Sequence, residues 1–224
     1  MLDKSGGRIQ NPFAYDERIP ESVRETFHSL SSDLAWLKVK WDVCLGLFGT
    51  VDTVKIVLSI SQDSFLAIRD TLIGDVILSI SRLCDKEQNR HQQNITIHSL
   101  ENYCGPDDGI LELTASLEDA CKPFKTYRHK HLAHKDLEMV LNKEVSQIRN
   151  FRESVESILD MFGKTLNKFF QKYADKLEVL EFKQRTIGEP QDIIDVLKAE
   201  VERRHQPFKS LSPSDTCPER SPPP

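Results

Sequence analysis

The sequence predicts an all-α protein, an antiparallel bundle of four to five helices. Along four long segments the apolar residues recur at alternating spacings of three and four. Residues at these spacings share one face of a helix, so each segment has an apolar stripe that must pack against a neighbour. Polar segments with Gly, Pro or Asn separate the stripes. Helices of this kind most simply form a bundle.

The first two stripes are the longest. The first helix, from about residue 20, has the stripe Phe27, Leu30, Leu34, Leu37, Trp41, Cys44 and Phe48, and Gly46 and Gly49 mark its end. The second stripe is denser and predicts a central helix that is buried on more than one side: Phe65, Ile68, Leu72, Ile73, Val76, Ile77, Ile80, Leu83 and Cys84.

Shorter elements follow. Residues 85–94 are polar and predict a loop, after which Thr96 can cap a short helix that runs through Tyr103. The third stripe is Ile110, Leu113, Leu117, Ala120, Phe124 and Tyr127. Asn142 can cap the fourth helix, whose stripe is Ile148, Phe151, Val155, Ile158, Phe162, Leu166, Phe169, Tyr173 and Leu177.

The ends of the chain differ from this central part. Residues 1–19 are polar and predict a flexible arm, and residues 20–180 form the bundle. The stretch LEVLEFKQRTIG, residues 177–188, is ambiguous and could be a short strand. Residues 181–207 are a C-terminal extension, with a helix that Pro190 begins and that runs to about His205. Residues 208–224 are rich in Pro and Ser and predict a disordered tail.

Composition excludes several classes of protein. The 224 residues carry a net charge of −5, which argues against a general nucleic-acid coat but not against a local basic site. No apolar run reaches the roughly 18–20 residues of a membrane span, and the N-terminus lacks the apolar core of a secretion signal. The five cysteines form no CxxC pair, which favours reduced cytoplasmic thiols that lie mostly in the core.

Charge is distributed unevenly around the end of the third helix. Residues 101–120 contain six acids and no base, whereas residues 122–135 contain five Lys or Arg, three His and no acid. A helix that begins acidic and ends basic complements its own dipole, so a solvated helix end is one interpretation. Three histidines are poorly suited to that role, because histidine is mostly neutral at pH 7.

Two functional interpretations of these histidines remain. His129, His131 and His134 read H-x-H-x-x-H, which is similar to a metallo-hydrolase motif, but Ala133 stands where that motif has aspartate, and nearby cations oppose a metal ion. A phosphate site uses the same segment better. Arg128 offers a planar fork to a phosphodiester, and a histidine can exchange protons with a ribose hydroxyl or a leaving oxygen without a metal.

Helix geometry limits how these groups cooperate. On an unbroken α-helix Arg128 and His134 lie about 120° apart around the axis and roughly 9 Å apart along it. They then share no face, so either the helix breaks between them or the groups of two chains combine. Both side chains are expected at the surface. The nearby Arg82 and Asp85, at i and i+3, are expected to form a structural ion pair.

The stretch YRHKHLAHKD, residues 127–136, resembles the R-x(4–6)-H motif of the HEPN superfamily, with Arg128, five intervening residues and His134. Together with LSISRLCDKEQ at 78–88 it is most similar to the branch named for the abortive-infection protein AbiU. The resemblance implies a HEPN-like helical bundle that dimerises with the motifs of two protomers facing each other. It also implies a metal-independent endoribonuclease that acts in phage defence or as a toxin.

Carried over to this chain, the resemblance makes Arg128 and His134 the active pair. His129 stands where the family commonly has Asn, and Asp136 stands where some branches have a tyrosine that a partner enzyme modifies, so that control is not supported. Family members that only bind RNA also exist.

The sequence therefore predicts a cytoplasmic, homodimeric RNase without cofactor or metal, with an antitoxin or defence protein as a possible further partner. The supporting RNA-binding residues are His129, Lys130, His131, Lys125 and Lys135. The alternatives are a non-catalytic bundle that binds RNA or protein through the same basic patch, and a purely structural bundle.

Overall fold

The computed structural model describes residues 17–86, 88–89, 92–105, 109–133, 148–174, 180, 182 and 188–205. Five α-helices occur in this part of the chain: α1 (Glu21–Phe48), α2 (Val51–Leu83), α3 (Ile110–Tyr127), α4 (Phe151–Phe170) and α5 (Pro190–His205). The described extended structure is one antiparallel pair of two-residue strands, β1 (Gln88–Asn89) and β2 (Gln92–Gln93). The predicted all-α helical bundle is confirmed.

Helices α1, α2, α3 and α4 enclose the main core. The α1 stripe is buried as predicted from Phe27 to Cys44, and Phe27 stacks on Phe169 of α4 with ring centroids 5.6 Å apart. On α3 the buried face includes Leu117, Cys121 and Phe124. Burial of this apolar surface is the main source of the free energy that holds the helices together.

Helix α2 is less enclosed than its dense stripe suggested. Its backbone leaves helical geometry at Ser61, where φ is −160° and ψ is 98°. Val76, Ile77 and Ile80 are buried in the main core, but Ile68 and Leu78 are 42% and 40% exposed. The prediction of a helix buried on more than one side is therefore wrong for α2, because only one side of its second half faces the core.

The fourth helix begins later than predicted. Asn150, in left-handed geometry with φ 49° and ψ 51°, precedes Phe151, so Ile148 lies before the helix and is partly buried against the core. The predicted cap Asn142 lies outside the described residues. Thr96 does precede a short helix as predicted, of the 3-10 type (Ile97–Tyr103).

Helix α5 begins at Pro190 and ends at His205, as predicted. It packs on α1 and α2 through a second, smaller cluster that contains Leu47, Val57 and Ile194. The backbones approach closely there, since a Cβ on Gly46 of α1 would lie 2.2 Å from Cβ of Pro190.

The chain ends are described only in part. Ile19, placed by sequence in the N-terminal arm, is buried in the main core, and residues 1–16 and the Pro-rich tail lie outside the described residues. None of the helices in the described ranges combines the length and the apolar character that a membrane span requires.

Candidate active site

Arg128 lies where α3 changes its geometry. The α-helix ends at Tyr127 and continues as a π-helical turn, Arg128–Ala133. The backbone N–H of Arg128 donates to the carbonyl groups of Phe124 and Lys125. Short π-helical segments are rare and occur frequently at functional sites. The angle of about 120° predicted between Arg128 and His134 assumed an unbroken α-helix, so it does not apply to this segment.

Arg128 binds Asp85 in a bidentate ion pair. Its Nη1 donates to Oδ2 at 2.6 Å, and its Nη2 donates to Oδ1 at 3.1 Å. The Arg128 side chain is 19% exposed and that of Asp85 is 28% exposed. Paired donors and acceptors of this kind are both stronger and more specific in direction than a single charged hydrogen bond.

This contact replaces the predicted pair between Arg82 and Asp85. Arg82 is exposed, and it is its backbone carbonyl that accepts a hydrogen bond from the N–H of Asp85, at 3.2 Å. The side chain of Asp85 instead reaches across to α3. The predicted structural pair is therefore wrong, because the position of Asp85 just beyond the end of α2 directs its carboxylate toward the neighbouring helix.

Two buried thiols lie beside the ion pair. Cys84, the C-cap of α2, and Cys121 of α3 are both fully buried and free. Their mutual hydrogen bond and their burial raise the pKa of the Cys84 thiol well above its usual range. Buried cysteines behave as small apolar residues, and both of these side chains are fully excluded from solvent where α2 and α3 meet beside Arg128. Of the four described cysteines, Cys44, Cys84 and Cys121 are buried, so the prediction that the cysteines are mostly core residues is confirmed for this part of the chain.

Acidic side chains neutralise much of the basic segment. Lys122 binds Asp119 at 2.5 Å, and Lys125 lies 3.7 Å from Glu118. Glu118 is also 3.9 Å from His98, whose Nδ1 is 2.8 Å from Glu101. The acids just before the segment, together with Asp85, thus reduce the local positive charge that the sequence suggested.

The other predicted site residues divide into two groups. His129 and Lys130 are exposed, and His131 belongs to the π-helical turn. His134 and Lys135 lie outside the described residues, so the distance from Arg128 to His134 remains a prediction. The described residues contain no cluster of three His, Cys, Asp or Glu side chains that could hold a metal ion. That does not test the H-x-H-x-x-H site, since its third histidine is not among them.

Asp85 is the main residue that the sequence-based site omitted. Its only signal was its place in LSISRLCDKEQ, the earlier segment that carried the family resemblance. Arg128 and Asp85 are 43 residues apart in the chain, and helical periodicity relates only residues within one helix.

Comparison with known proteins bears on this site. No curated protein and no solved structure matches the chain. A family model does match, over residues 20–175, and its description is AbiU2, of the HEPN class. The matched segment covers well over half of the chain and contains α1 to α4, Asp85, Arg128 and His134. The chain therefore belongs to the HEPN AbiU2 family.

Proposed function

We propose that this protein is a metal-independent endoribonuclease that acts in the cytoplasm as a toxin or phage-defence effector. Membership of the HEPN AbiU2 family supports the reaction class. The observation that carries the proposal is the placement of Arg128, which is half-buried, held by Asp85 and located at a π-helical turn beside exposed His129 and Lys130.

In this mechanism Arg128 binds the phosphodiester. A guanidinium has five N–H donors, and the pair with Asp85 uses two of them. The others can donate to phosphate oxygens and stabilise the negative charge that grows on phosphorus. His134 takes the proton of the ribose 2′-hydroxyl or gives one to the leaving 5′-oxygen. Lys130 and the neighbouring histidines contact adjacent phosphates.

The proposal includes a two-fold homodimer. Residues 122–136 of two chains would line one cleft, so that an arginine from one chain and a histidine from the other could meet the same phosphate. In this arrangement Arg128 and His134 of one chain do not have to lie on the same face of one helix, because each meets its counterpart from the other chain. Salt should weaken RNA binding, because phosphate contacts release counterions.

Cleavage of a labelled single-stranded RNA by purified protein tests the proposal. Wild type should cleave in the presence of EDTA, whereas Arg128→Ala and His134→Ala should each lose cleavage. Activity that disappears in EDTA and returns with zinc or manganese would replace this mechanism with metal-assisted hydrolysis.

Mixing the two inactive variants tests the shared site. If each site takes its arginine from one chain and its histidine from the other, a mixed dimer contains one complete site and some activity returns. A fully active protein that sediments as a monomer at micromolar concentration would contradict the dimeric cleft.

The second candidate is a helical bundle that binds RNA without cutting it. The pairing of Lys122, Lys125 and Arg128 with acids favours it, because a neutralised segment is a weaker phosphate-binding surface. On this alternative, wild type binds RNA and leaves it intact, and Arg128→Ala lowers only the affinity.

A further inference from the structure

We infer that Asp85 is a positioning residue for Arg128: it holds the guanidinium in the orientation in which it receives the RNA phosphate. This inference rests on the proposed function. It concerns a residue just beyond the end of α2, outside the motif. It assigns to that residue a role in the rate of cleavage rather than in affinity for RNA.

The geometry of the pair fixes the plane of the guanidinium. The two terminal nitrogens of Arg128 each meet a different oxygen of Asp85, at 2.6 and 3.1 Å. Two parallel hydrogen bonds to one carboxylate prevent the guanidinium plane from rotating, whereas a single hydrogen bond allows it to rotate. The Nε–H and one N–H on each terminal nitrogen lie outside the pair, so the same guanidinium can bind a phosphate at another edge.

Backbone hydrogen bonds hold both residues of the ion pair in place. Arg128 follows directly on α3, where its N–H is shared by the carbonyl groups of Phe124 and Lys125. The N–H of Asp85 bonds the carbonyl of Arg82 at the end of α2. Cys84, beside Asp85, contacts Cys121 of α3 in the core. A restraint between two packed helices can place a functional group to within the small tolerance that catalysis requires.

Stability alone explains the position of Asp85 poorly. A carboxylate just beyond the C-terminus of a helix lies at the negative end of the helix dipole, which is unfavourable. Although this half-buried pair contributes to stability, apolar side chains of similar volume at the same two positions can stabilise a fold equally well. Lys40 and Asp75 form another interhelical pair, between α1 and α2, at 2.5 Å with side chains 33% and 45% exposed. That pair is a suitable control, because it joins two helices other than α3.

The decisive variant is Asp85→Asn, with Asp75→Asn as its matched control. Asparagine keeps the shape of aspartate but offers one acceptor oxygen, so the fork is lost. Each variant also removes one negative charge, so affinity for RNA should stay equal or rise slightly. We expect kcat for RNA cleavage to fall about 10- to 100-fold in Asp85→Asn, with the Kd for a non-cleavable 2′-O-methyl RNA within about threefold of wild type. Asp75→Asn should change neither quantity by more than about twofold.

A spectroscopic measurement separates positioning from folding. The Arg128 side-chain Nε–H signal of 15N-arginine-labelled protein should show restricted motion in wild type and increased motion in Asp85→Asn. Should Asp85→Asn fail to fold, Asp85→Glu decides: it keeps the charge but displaces the guanidinium, so kcat should fall about three- to tenfold.

Each other outcome overturns the inference. A cleavage rate in Asp85→Asn equal to wild type, while Arg128→Ala is inactive, leaves the proposed function intact and removes the role of Asp85. A faster Asp85→Asn enzyme would show that Asp85 competes with the phosphate. An equal loss in Asp75→Asn would indicate a general loss of structure. Wild-type protein that cleaves no RNA would refute the proposed function, and this inference with it.

Discussion

Truncation of Arg128 should reduce stability as well as activity, although sequence alone placed this residue at the surface. The side chain of Arg128 is 19% exposed and that of Asp85 is 28% exposed, so the pair lies between two measured regimes. Exposed pairs contribute about 0.2–1 kcal/mol, and removal of one partner of a buried pair costs about 3–5 kcal/mol. We expect Arg128→Ala to lower the free energy of unfolding by about 1.5–3 kcal/mol.

Arg128→Ala should lower the free energy of unfolding more than Asp85→Ala does. Arg128→Ala leaves the Asp85 carboxylate unpaired at the negative end of α2, whereas Asp85→Ala leaves a cation there, which the helix dipole favours by about 0.3–1 kcal/mol. Asp85→Ala should therefore cost less, about 0.5–1.5 kcal/mol. The double variant should cost less than the sum of the two, with a coupling energy of about 1–2 kcal/mol.

Urea denaturation followed by circular dichroism at 222 nm measures these differences through the shift in midpoint at constant slope. The same cycle on Lys40 and Asp75, which are 33% and 45% exposed, should give a coupling energy below about 1 kcal/mol that decreases in high salt. A coupling energy for Asp85 and Arg128 no larger than this control, or a greater cost for Asp85→Ala than for Arg128→Ala, would refute the reasoning.

Two further predictions concern the packing. Gly46→Ala should lower stability, because its Cβ would lie 2.2 Å from Cβ of Pro190, and overpacking at about 1–3 kcal/mol exceeds the 0.5–1 kcal/mol gained by replacing a helical glycine. Gly163→Ala is the control and should raise stability by about 0.5–1 kcal/mol, since a Cβ at this position would lie 3.7 Å from its nearest neighbour, an atom of Phe182. Urea denaturation measures the stability of both variants, and equal shifts in midpoint would contradict the clash at Gly46. Iodoacetamide at pH 8 should label Cys84 far more slowly in native protein than in urea, because a hydrogen bond with Cys121 and burial raise the pKa of its thiol; rapid native labelling, detected by mass spectrometry, would contradict the buried thiol pair.

The helices that the sequence predicted best are those with local signals at their ends. Gly49 follows the last residue of α1, and Pro190 begins α5, as the sequence predicted. The start of α4 was misplaced because the apolar spacing continues back through Ile148, while the left-handed backbone of Asn150 separates that residue from the helix. Apolar periodicity does not detect such a local change of backbone.

The extent of burial along α2 was less predictable. The width of an apolar stripe shows how much surface a helix can bury, but not how many partners the fold supplies. Only the second half of α2 contributes to the main core, through Val76, Ile77 and Ile80, and the first half meets α5 in a separate small cluster. That division depends on contacts distant in sequence.

The net charge around Arg128 also depends on contacts that are distant in sequence, and this dependence matters for the proposed function. Residues 122–135 contain five Lys or Arg and no acid. However, Glu118 and Asp119 lie just before this segment, and Asp85 reaches it from just beyond the end of α2. Under the proposed function, accumulated positive charge alone is therefore not enough to attract RNA to Arg128. If the protein cleaves RNA as we propose, the fixed orientation of the Arg128 guanidinium must provide part of the phosphate binding that net positive charge does not provide. A phosphate that binds Arg128 while Asp85 stays bound would meet a guanidinium of fixed orientation. A phosphate that displaces Asp85 would meet a guanidinium whose charge is no longer neutralised but whose orientation is no longer fixed. In the first case Asp85→Asn should lower kcat, and in the second it should not.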